Sequence, residues 1–267
     1  MKHYVIRGGV EGKKRLALLS RALWPTTSRL LQNAGLEAGM SCLDLGCGGG
    51  DVSLELATWV GPGGKVVGID MDEEKLELAR EHARERGLHN LEFRREDADT
   101  WAEVGTYDFV YCRFLLTHLR EPQPVVGKIW QALRPGGRAA IEDIEFYGHF
   151  CFPESEAFLR YQQLYRIVVA RRGGNADIGP TLLYRAQKAG WRNLEVEVVQ
   201  PAFFKGESKT IALVTLENIA DTLLAEKLVS EDELESILER LRRFTENENT
   251  LLSLPRIFQI HGRKEPA

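Results

Sequence analysis

From residue 40 to residue 146 the chain alternates short apolar runs with segments of helical period, a pattern that predicts strands joined by helices. The runs at 40–45, 65–70, 91–95, 107–112 and 139–144 read as five strands. Asp72, Glu73 and Glu74 open one intervening helix, which runs to about Arg86 with Gly87 as its C-cap. Pro122 and Pro124 open another, which passes through Ile129 to Leu133 and the turn Arg134-Pro135-Gly136-Gly137. Before these strands, Leu16, Leu19, Leu23, Leu30 and Leu31 keep a helical spacing from Gly12 on. Pro25 interrupts it, which predicts two helices or a kink, with Thr26 or Thr27 capping the second. Beyond residue 146 come expected helices at 154–172, 178–189, 210–228 and 230–244, and strands at 194–199 and 256–261. Ser230 and Glu233 form a capping-box pattern.

The chain has 267 residues, enough for one large domain with an embedded cap. Its 43% hydrophobic content is that of a globular protein with a core. The charge balance, 35 basic against 39 acidic residues, gives −4 and no basic excess, so no nucleic-acid partner is expected. Cys42, Cys47, Cys112 and Cys151 form no C-x-x-C pair, and reduced thiols are expected. No apolar run approaches the roughly 18 residues of a spanning helix, and the first residues carry no signal-peptide core. These features predict a cytoplasmic protein with no membrane partner. The six histidines show no ligand pairing, and no metal is expected.

Chemistry concentrates at Asp44-Leu45-Gly46-Cys47-Gly48-Gly49-Gly50, between the first strand and the helix from Asp51. Glycine lets the backbone take positive φ and lets a ligand lie against it. A dinucleotide site wants G-x-G-x-x-G with pyrophosphate on the helix N-terminus. Counted from Gly46, the third glycine is replaced by Asp51, whose carboxylate would repel a pyrophosphate. S-adenosylmethionine, a nucleoside without phosphate, needs only the close approach. Asp70 ends the second strand about 20 residues on, where a ribose-binding carboxylate belongs.

The seven-residue stretch resembles the first motif of class I S-adenosylmethionine-dependent methyltransferases of the small-molecule, UbiE-like type. The resemblance is firm over residues 40–146. It includes Asp70, the Asp97-Ala98 pair, the Asp108-Phe109-Val110 opening of strand four and the Pro-Gly-Gly turn. It implies an α/β, Rossmann-like, seven-stranded, mostly parallel sheet whose last strand is antiparallel, with N-terminal helices and a helical cap. It divides one domain, 1–267, into a lid (1–39), a cofactor core (40–146) and cap insertions (147–190 and 203–253). It implies S-adenosylmethionine as cofactor, with Asp44, Gly46, Cys47 and Gly48 at the turn. Asp70 would take the ribose hydroxyls, Met71 would pack on adenine, and Asp97 and Ala98 would meet the adenine edge. Tyr4 and Arg7 would close on the methionine end, and Arg113 lies at the same strand edge.

The implied reaction is methyl transfer to O, N, S or C of a small-molecule acceptor, with methylation of RNA or protein and non-catalytic cofactor binding as alternatives. Two residues are candidate bases or substrate contacts. His118 follows strand four, and Asp143 near the end of strand five is expected to face the crevice, with Glu142 turned to the opposite side by alternation. His149 is a weaker third. Phe146, Tyr147, Phe150, Phe152, Phe203 and Phe204 predict a largely apolar acceptor pocket. A homodimer is compatible with all of this.

Overall fold

The computed structural model describes residues 9–266. Ten strands and eight helices follow in chain order among them. Helix α1 (Gly9–Asn33) leads into β1 (Ser41–Leu45), α2 (Asp51–Val60), β2 (Lys65–Asp70), α3 (Glu73–Glu85), β3 (Leu91–Arg95) and β4 (Tyr107–Arg113). Then come α4 (Pro122–Ala132), β5 (Leu133–Glu145), β6 (Cys151–Phe152), α5 (Glu156–Arg171), α6 (Leu182–Lys188), β7 (Glu195–Val199) and β8 (Ala202–Phe203). The chain ends with α7 (Ile211–Ala225), α8 (Glu231–Glu246), β9 (Leu251–Ser253) and β10 (Arg256–Arg263).

Seven strands form one sheet in the order β3-β2-β1-β4-β5-β10-β7. β10 runs antiparallel to both β5 and β7, and the β1–β2, β1–β4, β2–β3 and β4–β5 pairs are parallel. The central strands are buried on both faces, which is why they read as unbroken apolar runs. Leu43 and Leu45 of β1 are fully buried, and burial of each such side chain is worth about 1.5–3 kcal/mol. The order reverses between β1 and β4, and a crevice opens beyond the carboxyl ends of strands at such a point.

Over that crevice lies a helical layer. Leu18, Leu19 and Leu23 of α1 share one core cluster with Phe158 and Leu164 of α5, Leu216 and Ile219 of α7, and Leu241 of α8. The Ser230 hydroxyl accepts from the Glu233 N–H at 3.1 Å, so the expected cap forms, while the Glu233 carboxylate pairs with Arg160 instead of closing the box.

Four expectations are corrected. Pro25 does not divide the N-terminal segment, because α1 runs through it as one helix. Buried leucines on both sides, Leu23 before it and Leu30 and Leu31 after it, hold the axis, and the Thr26 hydroxyl donates to the Leu23 carbonyl at 2.9 Å. Thr27 caps nothing and donates instead to Glu142. Of the segment 147–190 expected in the cap, α5 lies there but α6 does not: Leu182 and Ala186 pack with Val125 and Ile129 under the sheet. The Pro-Gly-Gly turn is a bulge inside β5, with Gly136 at φ 79 and the pairing to β4 shifting between Tyr107 and Phe109.

Candidate functional site

The glycine turn is laced to the end of β2. Gly46 and Cys47 both donate their N–H to the Ile69 carbonyl, at 2.8 and 2.9 Å, and Gly48 donates to Asp70 Oδ2 at 2.8 Å. Gly46, Gly48 and Gly50 all have positive φ, at 77, 55 and 77 degrees. Space is tight as well: a Cβ on Gly48 would stand 3.0 Å from Leu16 of α1, and one on Gly50 would stand 2.7 Å from the Phe93 ring. The helix α1 therefore passes directly over the turn.

Asp70 Oδ1 also accepts the Asp72 N–H, at 3.0 Å. Each carboxylate oxygen thus has one main-chain donor and keeps a lone pair for a further hydroxyl. Capping of α3 falls to Asp72, whose carboxylate accepts from the Lys75 N–H at 3.2 Å. Met71 is 47% exposed beside Asp70, an uncommon position for a large apolar side chain unless something covers it. Asp44 is buried and accepts the Ser53 hydroxyl at 2.6 Å. Burial pushes its pKa up to about 6, against the downward pull of Ser53 and Arg113.

These groups line one cavity of about 1220 Å³, together with Gly46, Cys47, Gly48, Asp97, Ala98 and Arg113. That volume exceeds the roughly 300–1,000 Å³ of a typical ligand pocket and leaves room for a nucleoside-sized molecule with a second one beside it. Asp44, Asp51, Asp70 and Asp97 give this end an acidic rim, which suits a sulfonium and opposes a pyrophosphate. The diol-ready carboxylate, the glycine cradle and the rim fit S-adenosylmethionine. Tyr4 and Arg7 lie outside the described residues.

Arg113 donates to Thr27 and Ser20 of α1, both at 3.3 Å. Below it the fully buried Glu142 accepts from the hydroxyls of Thr27, at 2.8 Å, and Tyr111, and from Gln259 Nε2 at 2.6 Å. Glu142 and Asp143 lie on opposite faces, as alternation requires, but Glu142 and not Asp143 is on the α1 side, and this network ties the lid helix to the sheet.

At its other end the cavity is walled by Phe146, His149, Tyr161, Tyr165, Ile211 and Ile257. The Phe146 and Tyr165 rings stack at 4.1 Å. Of the expected aromatics, only Phe146 lines the cavity. Tyr147, Phe150, Phe152 and Phe204 are exposed, and Phe203 packs against the cap core. The tyrosines of α5 take their place, and the helical period that marked them as buried carried no sign of which cavity they would meet.

The two base candidates separate. His118 lines the cavity from the turn after β4. Burial first, then the charges of Arg15, Lys75 and Arg172, push its pKa down to about 3, so the ring is neutral and a weak base. Asp143 does not line the cavity. Its carboxylate accepts the Thr117 N–H at 3.1 Å and the Ile144 N–H at 2.8 Å, beneath the turn that carries His118. Strand β5 runs on to Glu145 with β10 paired along it, so Asp143 lies inside the sheet and not at its open end. Burial pushes its pKa up to about 7, against those main-chain donors. Among the described residues no group of three or more His, Cys, Asp or Glu side chains is placed to hold a metal, and no helix is long and apolar enough to cross a membrane.

Known proteins carry the same framework. The profile of a family described as "Methyltransferase domain" matches residues 36–171, just over half of the chain. A demethylmenaquinone methyltransferase of Lactococcus lactis subsp. lactis is 36% identical over 117 residues, 43% of this chain and 46% of that protein. A ubiquinone biosynthesis O-methyltransferase of Acinetobacter baumannii is 34% identical over 115 residues, 42% of this chain and 47% of that protein. The match thus spans about half the length of these curated relatives. Phosphoethanolamine N-methyltransferase 2 of Haemonchus contortus, solved with phosphomonomethylethanolamine and S-adenosylhomocysteine, superposes with a TM-score of 0.58 at 18% identity, over 94% of this chain and 56% of that one. That likeness is one of fold.

Proposed function

The chain belongs to the methyltransferase-domain family, and from that premise we propose that it is an S-adenosylmethionine-dependent methyltransferase acting on O, N, S or C of a small, largely apolar or aromatic molecule. The observation that carries this reading is the Asp70 carboxylate, fixed by the N–H groups of Gly48 and Asp72 beside a turn whose Gly46, Gly48 and Gly50 all take positive φ. The bound cofactor supplies an electrophilic methyl on a cationic sulfur. Asp70 takes the ribose hydroxyls, Met71 covers one adenine face, and Asp97 and Ala98 meet the adenine edge. The acidic rim favours the sulfonium over the neutral thioether left after transfer. Helix α1, pinned through Arg113 and Glu142, closes the turn against water.

Positioning does most of the work in an in-line displacement. Neither base candidate argues for strong proton abstraction: His118 is a weak base and Asp143 lies outside the cavity. His118 serves to orient the acceptor, and Asp143 holds the His118 turn. The names of the two relatives, which place their reactions on quinone precursors, favour a ring-bearing acceptor. The four free cysteines support a reducing, cytoplasmic setting.

Calorimetric titration with S-adenosylmethionine, S-adenosylhomocysteine and NAD tests the reading. The first two bind in the micromolar range and NAD does not. Tight NAD binding with no binding of the other two overturns the assignment.

A further inference from the structure

The acceptor end of the cavity contains a buried cation that the methyl-transfer reading does not use. Arg15, on α1, is only 7% exposed and lines the cavity. Its Nε donates to Thr215 Oγ1 of α7 at 3.0 Å. Among the described residues no carboxylate pairs with it. A guanidinium carries a permanent charge and five N–H donors in a rigid fork that matches a carboxylate. Burying such a charge without a counter-ion is costly, and the cost is recovered when a ligand brings the missing anion.

The surroundings define what the guanidinium faces. Successive helical residues diverge by about 100°. Leu16 covers the glycine turn, so Arg15 is turned away from it, toward the cap. There it meets Thr215 and lies near Tyr161, both 1% exposed and both on the cavity wall. Tyr161 keeps its phenolic proton, burial having pushed its pKa up, and offers a neutral hydroxyl. Arg172 adds positive charge at the same end. Phe146, Ile211 and Ile257 give most of the remaining wall an apolar surface, beside the buried ring of His149 and the Glu226 carboxylate, which pairs with Arg171. The Arg15 guanidinium repels an ammonium, and a neutral hydrocarbon brings it no anion.

Resting on the methyltransferase reading of this cavity, we propose that Arg15, supported by the Thr215 and Tyr161 hydroxyls, binds a carboxylate on the methyl acceptor, which is therefore an apolar or aromatic monocarboxylic acid. The cofactor also carries a carboxylate, and the test separates the two sources.

Protein saturated with S-adenosylhomocysteine is titrated calorimetrically with benzoate, octanoate, benzamide and benzylamine, for wild type, Arg15→Gln and Arg15→Lys. Circular dichroism and thermal melting confirm that each variant folds. For wild type, at least one acid binds tenfold or more tighter than benzamide, and benzylamine binds weakest. Arg15→Gln removes the preference for the acid without changing S-adenosylhomocysteine affinity, and Arg15→Lys restores part of it. Equal binding of acid and amide, or no binding of either acid, overturns the proposal. So does a loss of S-adenosylhomocysteine affinity in Arg15→Gln with acid selectivity intact, which assigns the guanidinium to the cofactor and leaves the methyltransferase reading standing. Failure of wild type to bind S-adenosylhomocysteine, seen before any acid is added, strikes that reading first and takes this proposal with it.

Discussion

Replacing Glu142 with leucine should cost more stability than any conservative change on the cavity wall. Its carboxylate is fully buried and accepts three hydrogen bonds, from Thr27, Tyr111 and Gln259, each contributed by a different element. Arg113 stands opposite it in the β4–β5 register. Leucine has nearly the same reach but no acceptor, so three buried donors lose their partner. Each orphaned donor costs about 1–3 kcal/mol, and rotation of the two hydroxyls recovers part of that. The expected loss for Glu142→Leu is about 3–5 kcal/mol, a large share of the roughly 5–15 kcal/mol that holds a domain folded. Glu142→Gln keeps one acceptor oxygen and should cost about 1–2 kcal/mol. Urea unfolding at constant m-value measures both. A double-mutant cycle with Thr27→Val should give a coupling of at least about 0.5 kcal/mol, because the two side chains share a bond. Since Thr27 lies on the lid helix, affinity for S-adenosylhomocysteine should fall as well. A loss below about 1 kcal/mol for Glu142→Leu refutes the view that this network pins α1 to the sheet.

Three further outcomes are expected. His149 is buried against Phe146, Phe158 and Tyr161, and burial pushes its pKa down to about 3. The unfolded chain takes the proton first, so stability falls as pH drops from about 6.5 toward 3, by up to about 1.4 kcal/mol per unit. His149→Phe should flatten that acid slope in urea titrations between pH 7 and 4.5, and an unchanged slope contradicts the assignment. Asp143 works in the opposite sense: its pKa, raised to about 7, makes the folded state hold its proton longer, so its contribution falls as pH rises from about 4 to 7. Asp143→Asn should remove that fall, and persistence of the same slope in the variant counts against it. Gly48→Ala puts a side chain at φ 55 and 3.0 Å from Leu16, and should cost about 1–2 kcal/mol of stability and at least tenfold in S-adenosylhomocysteine affinity by calorimetry. Unchanged affinity would mean that the turn is not the cofactor cradle.

The sheet and the cofactor end were legible because their signals are local. A β-branched run ending in an acid, or four glycines in five residues, states its own backbone requirement within a few positions. Pro25 misled because the local rule ignores what the flanking leucines bury. The two-residue strands β6 and β8 carry no period, so the small β6-β9-β8 sheet left no trace in the pattern. Alternation put Glu142 and Asp143 on opposite faces but said neither which face the lid helix covers nor where β5 ends, and that end decides whether Asp143 meets the crevice. Arg15 was invisible for a different reason: its partner Thr215 is 200 residues away, and only the packing of α1 on α7 brings them together. Polar residues on an amphipathic helix read as solvated until another element covers them.

The most direct test of the central claim is the affinity of Asp70→Ala for S-adenosylhomocysteine by calorimetric titration, beside wild type and Asp70→Asn. Removal of the carboxylate that takes the ribose hydroxyls should weaken binding by about 1–3 kcal/mol, roughly five- to 150-fold, with a smaller loss for Asp70→Asn, which keeps one acceptor oxygen. Micromolar binding that is indifferent to both substitutions would contradict the account, because the ligand would then lie somewhere other than against the glycine turn and the end of β2.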